Sequence, residues 1–406
     1  MKGRRKPGSG HYYAAHLRPN ENLIEDNNHP DVDLCTISPA SPEKYHQSLS
    51  KVINSVDQNI YEKNRKLTGI SKLSILSGLN SKFMFPIPLC FTVDLMHLLC
   101  INLGKLLIPL WHGTLKCEST DDKSSWDWAK LTRDRWTQHG QQVADATPFF
   151  PSFFHQPPRN PAEKINSGYK ATEYYLYLLS LGPAIFRTIL PRKYWHNFCK
   201  LVHGVHILIQ RSITGSQICD AHMYLVQFVK EFEHLYYQHQ TDCLYFDRPC
   251  LHTLGAHSAS EIPHVGPGAY SSQFTMERTI GDLRQEIQQP SNPFGNLCAI
   301  TVCQSQKNAL KALYPELDQT NKPNIPKFAH DLGDGFVLLC PRECYFSTIP
   351  DEGGDILQDH LGISHVRHWG RVRLRNGQVA WSLWSESKRF GMQIRNTRNV
   401  KVILLV

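Results

Sequence analysis

The chain has 406 residues, 41% of them apolar and 10% aromatic, enough for a buried core in two or three domains. No run approaches the roughly 20 apolar residues of a membrane span, and the opening MKGRRKPGSGHYY lacks the apolar centre of a secretory signal, so neither a membrane partner nor secretion is expected. The formal net charge is +8, and residues 365–406 account for all of it, with nine Lys or Arg against a single acid, Glu386. A segment so biased suits a polyanion partner, or else a solvated basic tail. The 12 cysteines stand singly, with Cys298/Cys303 and Cys340/Cys344 the closest pairs, which argues against a CxxC zinc pattern or a disulfide framework and for reduced thiols.

Residues 1–40, rich in Pro, Gly, Asn and His, read as an extended N-terminal arm whose Lys2 to Lys6 cluster is compatible with a nuclear signal. From Ser41, with Pro42 at the first helical position, a helix is predicted to about Lys66. A second starts at Asp94 and presents Leu95, Leu98, Leu99, Leu106 and Leu107 on a wide apolar face until Pro109 bends or ends it. Asp121 to Gly140 reads as a Trp-rich helix with Trp126, Trp128 and Trp136, followed by the loop PFFPSFFHQPPRNP.

Helical patterns continue from Ala162 to Leu181, Pro191 to Gln210 and Gly215 to Gln240. In the last, Ile218, Ala221, Leu225, Phe228, Phe232 and Leu235 recur three and four apart, as in a coiled-coil seam; the run is too short for a coiled coil, so packing inside a helical domain is expected. Met276, Ile280, Leu283 and Ile287 mark a further helix with one buried stripe, and another runs from about Cys303 to Leu313. After Pro326, GFVLLC, RVRLR and QVAWSLW have strand composition, and Asn376-Gly377 signals a two-residue type I′ hairpin turn. The expected fold is mainly α over residues 41–325 with a small β-rich, basic C-terminal unit over 326–406.

A two-residue turn would set Arg375 opposite Gln378, Arg373 opposite Ala380 and Arg371 opposite Ser382, with Val372, Leu374, Val379 and Trp381 on the other face and Trp369 paired with Trp384. Arginines without a facing acid suit phosphate oxygens, so Arg367, Arg371, Arg373, Arg375, Lys388 and Arg389 are candidate DNA contacts, extended by Arg395, Arg398 and Lys401. The bland alternative is a charged face kept in water.

Taken in order, GHYYAAHLRPNE, HPDVDL, FTVDLMHLL, LLIPLWHGT, PPRNPAEKINSGYKATEYYLYLLSLGP and YSSQFTMERTIGDL with QQPSNPF resemble the fungal branch of CACTA-type (En/Spm-like) DNA transposases, across residues 3–401. The resemblance implies a remnant of an RNase H-like transposase core, in which three acids bind two Mg²⁺ ions and a helical insertion separates the second acid from the third. It implies DNA as partner, transposon ends or non-specific duplex, with a homo-oligomer left open, and a nuclear location. Asp94-Leu95-Met96-His97 matches the family's D-x-x-H motif, and Glu277-Arg278 matches its third acid and the Arg that follows. The first two acids, which in the family lie upstream of the GHYY segment, have no match, so the chain reads as a C-terminal part truncated at both ends.

Two cations roughly 4 Å apart need bridging carboxylates to activate a nucleophile and stabilise a leaving oxygen. A lone Glu277 would touch one ion at most, so productive Mg²⁺ binding and activity by this chain alone are not expected. Pattern alone also allows Glu277 to be a helix-flank acid paired with Arg278 or Arg284. Asp94 is expected to cap its helix, with His97 beside it; adding Cys100 makes three potential ligands on nearby turns, without zinc-finger spacing. Family members tend to carry two histidines four apart before the late Glu, whereas His252 and His257 are five apart, which on an α-helix turns the second by about 100° and breaks any shared support, unless both lie in a loop around Gly255. Three readings follow: a transposon-derived, catalytically incomplete DNA-binding protein; part of an active transposase completed by other sequence; or a helical interaction scaffold built on the 218–235 seam.

Overall fold

The computed structural model describes residues 4–5, 12–13, 15–20, 30–37, 41–117, 121–150, 157–287, 291–317, 325–326, 328–341, 347–348, 352–375, 377 and 379–382. These are mainly helical with a small four-stranded antiparallel sheet, and the chain divides into two compact units, Met1–Gly140 with Ala162–Glu277, and Gln141–Pro161 with Arg278–Val406. None of the described helices is long and apolar enough to cross a membrane. The described cysteines are all free.

The first unit is organised on two helices, Arg192–Leu208 and Gly215–Phe232, that pack on each other. Thr214 starts the second with a capping box: its hydroxyl accepts the Gln217 N–H at 3.3 Å and the Gln217 side chain returns to the Thr214 N–H at 2.9 Å. Close approach is possible because Gly204 has no side chain; a Cβ there would lie 2.9 Å from Leu225 Cδ2. Ala221, Leu225, Phe228 and Phe232 are fully buried, so most of the seam packs inside the unit, with Ile218 half-buried. At Glu233–Tyr237 the helix widens into a π turn, which carries Tyr236 and Tyr237 into the core while Leu235 stays half-buried.

Trp111 anchors the other side of this core. Its ring lies 4.8 Å from Phe186 and 5.2 Å from Phe198, and its Nε1–H donates to the Tyr236 hydroxyl at 3.0 Å. Its helix opens with a π turn, Met96–Asn102, and continues as Gly104–His112. Pro109 therefore does not end it. An internal proline costs about 3 kcal/mol, and the complete burial of Leu110 and Trp111 just beyond it offsets that cost. The third long element, Ala171–Tyr174 through Gly182–Ile185, again contains a π turn, Tyr175–Leu181. In the N-terminal arm Ala15, His16 and Leu34 are buried, with Leu34 seated where a Cβ on Gly255 would come within 2.8 Å of its Cδ1.

Several predicted elements differ from expectation. The segment from Ala162 to Leu181 is interrupted between Pro161–Lys164 and Ala171–Tyr174, and the helix expected from about Cys303 begins at Pro293. The helix expected from Ser41 to Lys66 is two, Pro42–Ile53 and Gln58–Thr68, because Asp57 breaks in to cap Ile60 N–H at 2.7 Å. The Trp-rich segment becomes regular helix only at Asp134–Asp145; Trp126 and Trp128 stack on each other at 5.6 Å, a contact between positions two apart that a helix cannot make. Met276 and Ile280 are 57% and 52% exposed, so the stripe expected to be buried on Phe274–Glu286 is not covered.

In the second unit, Pro293–Leu313 and Glu352–Leu361 are helices, and the sheet runs in the order His330–Gly333, Phe336–Pro341, Trp369–Arg373, Val379–Trp381. Arg371 pairs with Trp381 and Arg373 with Val379, one residue away from the expected register. The cause is the turn: Gly377 takes φ +79° and its N–H donates to Leu374 O at 2.9 Å, as in a three-residue loop with glycine at the left-handed position.

Gly204→Val should destabilise the first unit by about 1–3 kcal/mol through overpacking against Leu225, read as a lowered thermal midpoint; an unchanged midpoint would contradict the close helix approach.

Candidate functional site

Asp94 and Glu277, far apart in sequence, meet through His97. Asp94 precedes the π turn, and its carboxylate is used completely: Oδ1 accepts Met96 N–H at 3.1 Å and Gln273 N–H at 3.0 Å, while Oδ2 accepts His97 N–H at 3.3 Å and the His97 Nδ1–H. Four donors fill the four lone-pair positions of a carboxylate. The expected capping role is thus present, and it reaches beyond its own helix, because Gln273 stands just ahead of the Phe274–Glu286 helix that carries Glu277. With Nδ1 donating to Asp94, Nε2 of His97 is left to face Glu277 Oε1 at 3.8 Å. His97 is 40% and Glu277 51% exposed, so this edge is open to solvent. Arg278, next along, is exposed.

A second polar cluster backs the first. Glu233, wholly buried, accepts the backbone N–H groups of His16 and Leu17 at 2.6 Å each and the His16 ring Nδ1 at 2.8 Å. Burial would raise this carboxyl, but the His16 hydrogen bonds and charge outweigh it and hold it below its ordinary range. His16 Nε2 lies 3.1 Å from His252 Nδ1, and the His252 ring meets the His257 ring edge-on at 5.2 Å. Burial, then repulsion from His16 and His257, pushes His252 down to about 4.

The five-residue spacing of His252 and His257 does not separate them, contrary to expectation. Thr253–His257 is a π turn, whose i→i+5 geometry brings residues five apart onto one face. His257 Nδ1 lies 3.6 Å from Glu261 Oε1, and Glu261 Oε2 accepts the Val93 N–H at 2.7 Å. Val93 is the residue before Asp94. The cluster therefore fixes the backbone from which Asp94 reaches both helices.

Sequence patterns alone do not single out His16, Glu233 or Glu261. A signal existed for Glu233, an acid beside Phe232 at the end of an apolar seam, where only a partnered carboxylate is tolerated. Glu261 carries no such mark.

Among the described residues no three His, Cys, Asp or Glu groups converge to hold a metal ion. The chemistry of the donors agrees, since Asp94 has no lone pair to spare and Glu277 faces a histidine. Cys100 is buried, and burial followed by the Asp94 charge pushes its thiol up to about 12, so it is no thiolate ligand at neutral pH. These residues do not fit the two-Mg²⁺ site that the resemblance implies.

Of the candidate DNA contacts, Arg375 is exposed at the hairpin turn, while Arg367, Arg371 and Arg373 are half-buried. The register puts Arg371 and Arg373 on the face of Val337, Leu339, Val379 and Trp381. Arg371 packs over Trp381 at 4.8 Å and Arg367 over Trp369 at 5.2 Å. Gln378, Trp384, Lys388, Arg389, Arg395, Arg398 and Lys401 lie outside the described residues. Compared with models of known families, with curated proteins and with solved structures, the chain matches none.

Glu261→Ala should speed hydrogen exchange of the Val93 amide by about 10- to 100-fold, the worth of a hydrogen bond to a charged acceptor, and Glu261→Gln, which keeps an acceptor oxygen, should restore most of the protection. Equal exchange in all three proteins would remove Glu261 from the site. His252 is held neutral in the fold, so its contribution to stability is complete above the unfolded value of about 6.5 and is lost as pH falls towards its folded value. Denaturant unfolding between pH 7 and 4 should show a shallower decline for His252→Gln than for the parent, with a residual slope from His139, which burial also holds at about 4. Parallel declines would show that His252 is not buried beside His16.

Proposed function

We propose that this chain is a transposon-derived protein, descended from the C-terminal half of a CACTA-type DNA transposase with an RNase H-like core, that acts on DNA in the nucleus without cutting it alone. The observation that carries this reading is the Asp94–His97–Glu277 contact, because the two motifs that bear the resemblance come together although nothing in their local patterns requires it. Catalytic incompleteness follows from the donors: one open carboxylate cannot hold two cations. DNA contact rests on the arginine face of the sheet, with Arg371 and Arg375 as its best placed members. Such contact is electrostatic and tolerant of sequence.

The scaffold reading is less favoured, since four of the six seam residues, Ala221, Leu225, Phe228 and Phe232, are buried within the first unit. Affinity for random duplex DNA, measured at two salt concentrations, should fall when Arg371, Arg373 and Arg375 are changed together to Ala, and the salt slope should lessen by about 0.9 for each phosphate that is no longer neutralised. Unchanged binding in the variant, or none in the parent, would end the DNA-binding proposal. A Mg²⁺-dependent nicking assay on a transposon end should be negative. Reproducible cleavage abolished by Glu277→Ala would instead establish an active enzyme.

A further inference from the structure

Beneath the Asp94 joint lies a cavity of about 230 Å³. Its walls come from four places: Leu95, Leu99 and Cys100 at the first π turn, Tyr175 at the start of another, Ile209 after the Arg192–Leu208 helix, and Ser272 and Phe274 ahead of Glu277. A π turn is wider than an α turn and displaces side chains from their α positions, which is a physical reason for space to remain where two such turns meet. The lining is almost wholly apolar, and no charge enters it. Burial keeps the Cys100 thiol protonated and raises the Tyr175 phenol. One polar feature breaks the pattern. The Ser272 hydroxyl oxygen is buried and has no hydrogen-bond partner among the described residues. An unmade hydrogen bond at a buried hydroxyl is costly, and a ligand can complete it once the Ser272 side chain turns about Cα–Cβ to present the hydroxyl to the cavity.

We propose that this cavity is a binding site for a compact, neutral, mainly apolar molecule with a single hydrogen-bonding group directed at Ser272. An apolar cavity of about 150 Å³ holds benzene, so the larger space here suits a molecule of two fused rings. Occupancy would brace the Leu95–Cys100 turn against the segment leading into Glu277, the same two pieces of chain that Asp94 joins. The site stands apart from the transposase reading and does not depend on it.

Indole and indene have nearly the same shape, and only indole has an N–H to donate. Titration of the full chain, followed by the Met96 methyl resonance in NMR, should give saturable indole binding roughly three- to tenfold tighter than indene, the range of one net hydrogen bond. Ser272→Ala should make the two probes bind alike, by weakening indole. Ser272→Ile, which fills the space and removes the hydroxyl, should abolish both. Absence of saturable binding by the folded parent would overturn the proposal, as would indole and indene binding that neither substitution alters. Ser272→Ala keeps the test informative if the larger side chain prevents folding.

Discussion

The Asp94 carboxylate is the joint on which the first unit's chemistry depends. It receives four N–H donors from two stretches of chain distant in sequence, and between them they settle three things. Met96 and His97 backbone donors start one helix, the Gln273 donor holds the approach to another, and the His97 ring donor orients an imidazole towards Glu277. A carboxylate has only so many lone pairs. Using all of them inside the protein makes Asp94 a strong organiser and explains why the two stretches of chain meet at this point.

That joint is itself supported from behind. Glu261 holds Val93, His257 stands beside Glu261, His252 beside His257, and His16 between His252 and buried Glu233. Networks of this kind are costly when a member lacks a partner and rigid when each has one. The N-terminal arm takes part through His16, which replaces water at a carboxylate that could not otherwise stay ionised in the core. Arm, helices and joint are in this sense one polar system inside an apolar unit.

Sequence periodicity foretells the existence of most helices, because Leu, Phe and Tyr at three- and four-residue spacing have few other ways to be buried. What it cannot foretell is the π turns. A pattern read at 3.6 residues per turn places Leu235 in the core and His257 away from His252, whereas one wide turn leaves Leu235 half-buried and another brings His257 against His252. The stripe of Met276 and Ile280 shows a different limit: periodicity marks a face that could be buried, and only a partner buries it. At the hairpin, Gly377 does mark a turn, but turn type sets register, and a slip of one residue exchanges the partners across the strands. Arg371 consequently lies over Trp381 instead of facing Ser382.

The same distinction separates the two halves of the candidate site. D-x-x-H is legible because capping and ring orientation are local, acting within one turn of helix. Its encounter with Glu277 cannot be derived from spacing, since it depends on Gln273 donating across the fold to a residue in another helix. Glu277 contributes no hydrogen bond to that joint and lies half exposed at its edge. Its removal would therefore leave the Asp94 clamp intact, whereas removal of Asp94 would leave four donors to find new acceptors. The Asp94–His97–Glu277 geometry is maintained by groups whose work is structural, so it holds whether or not Glu277 takes part in any chemistry.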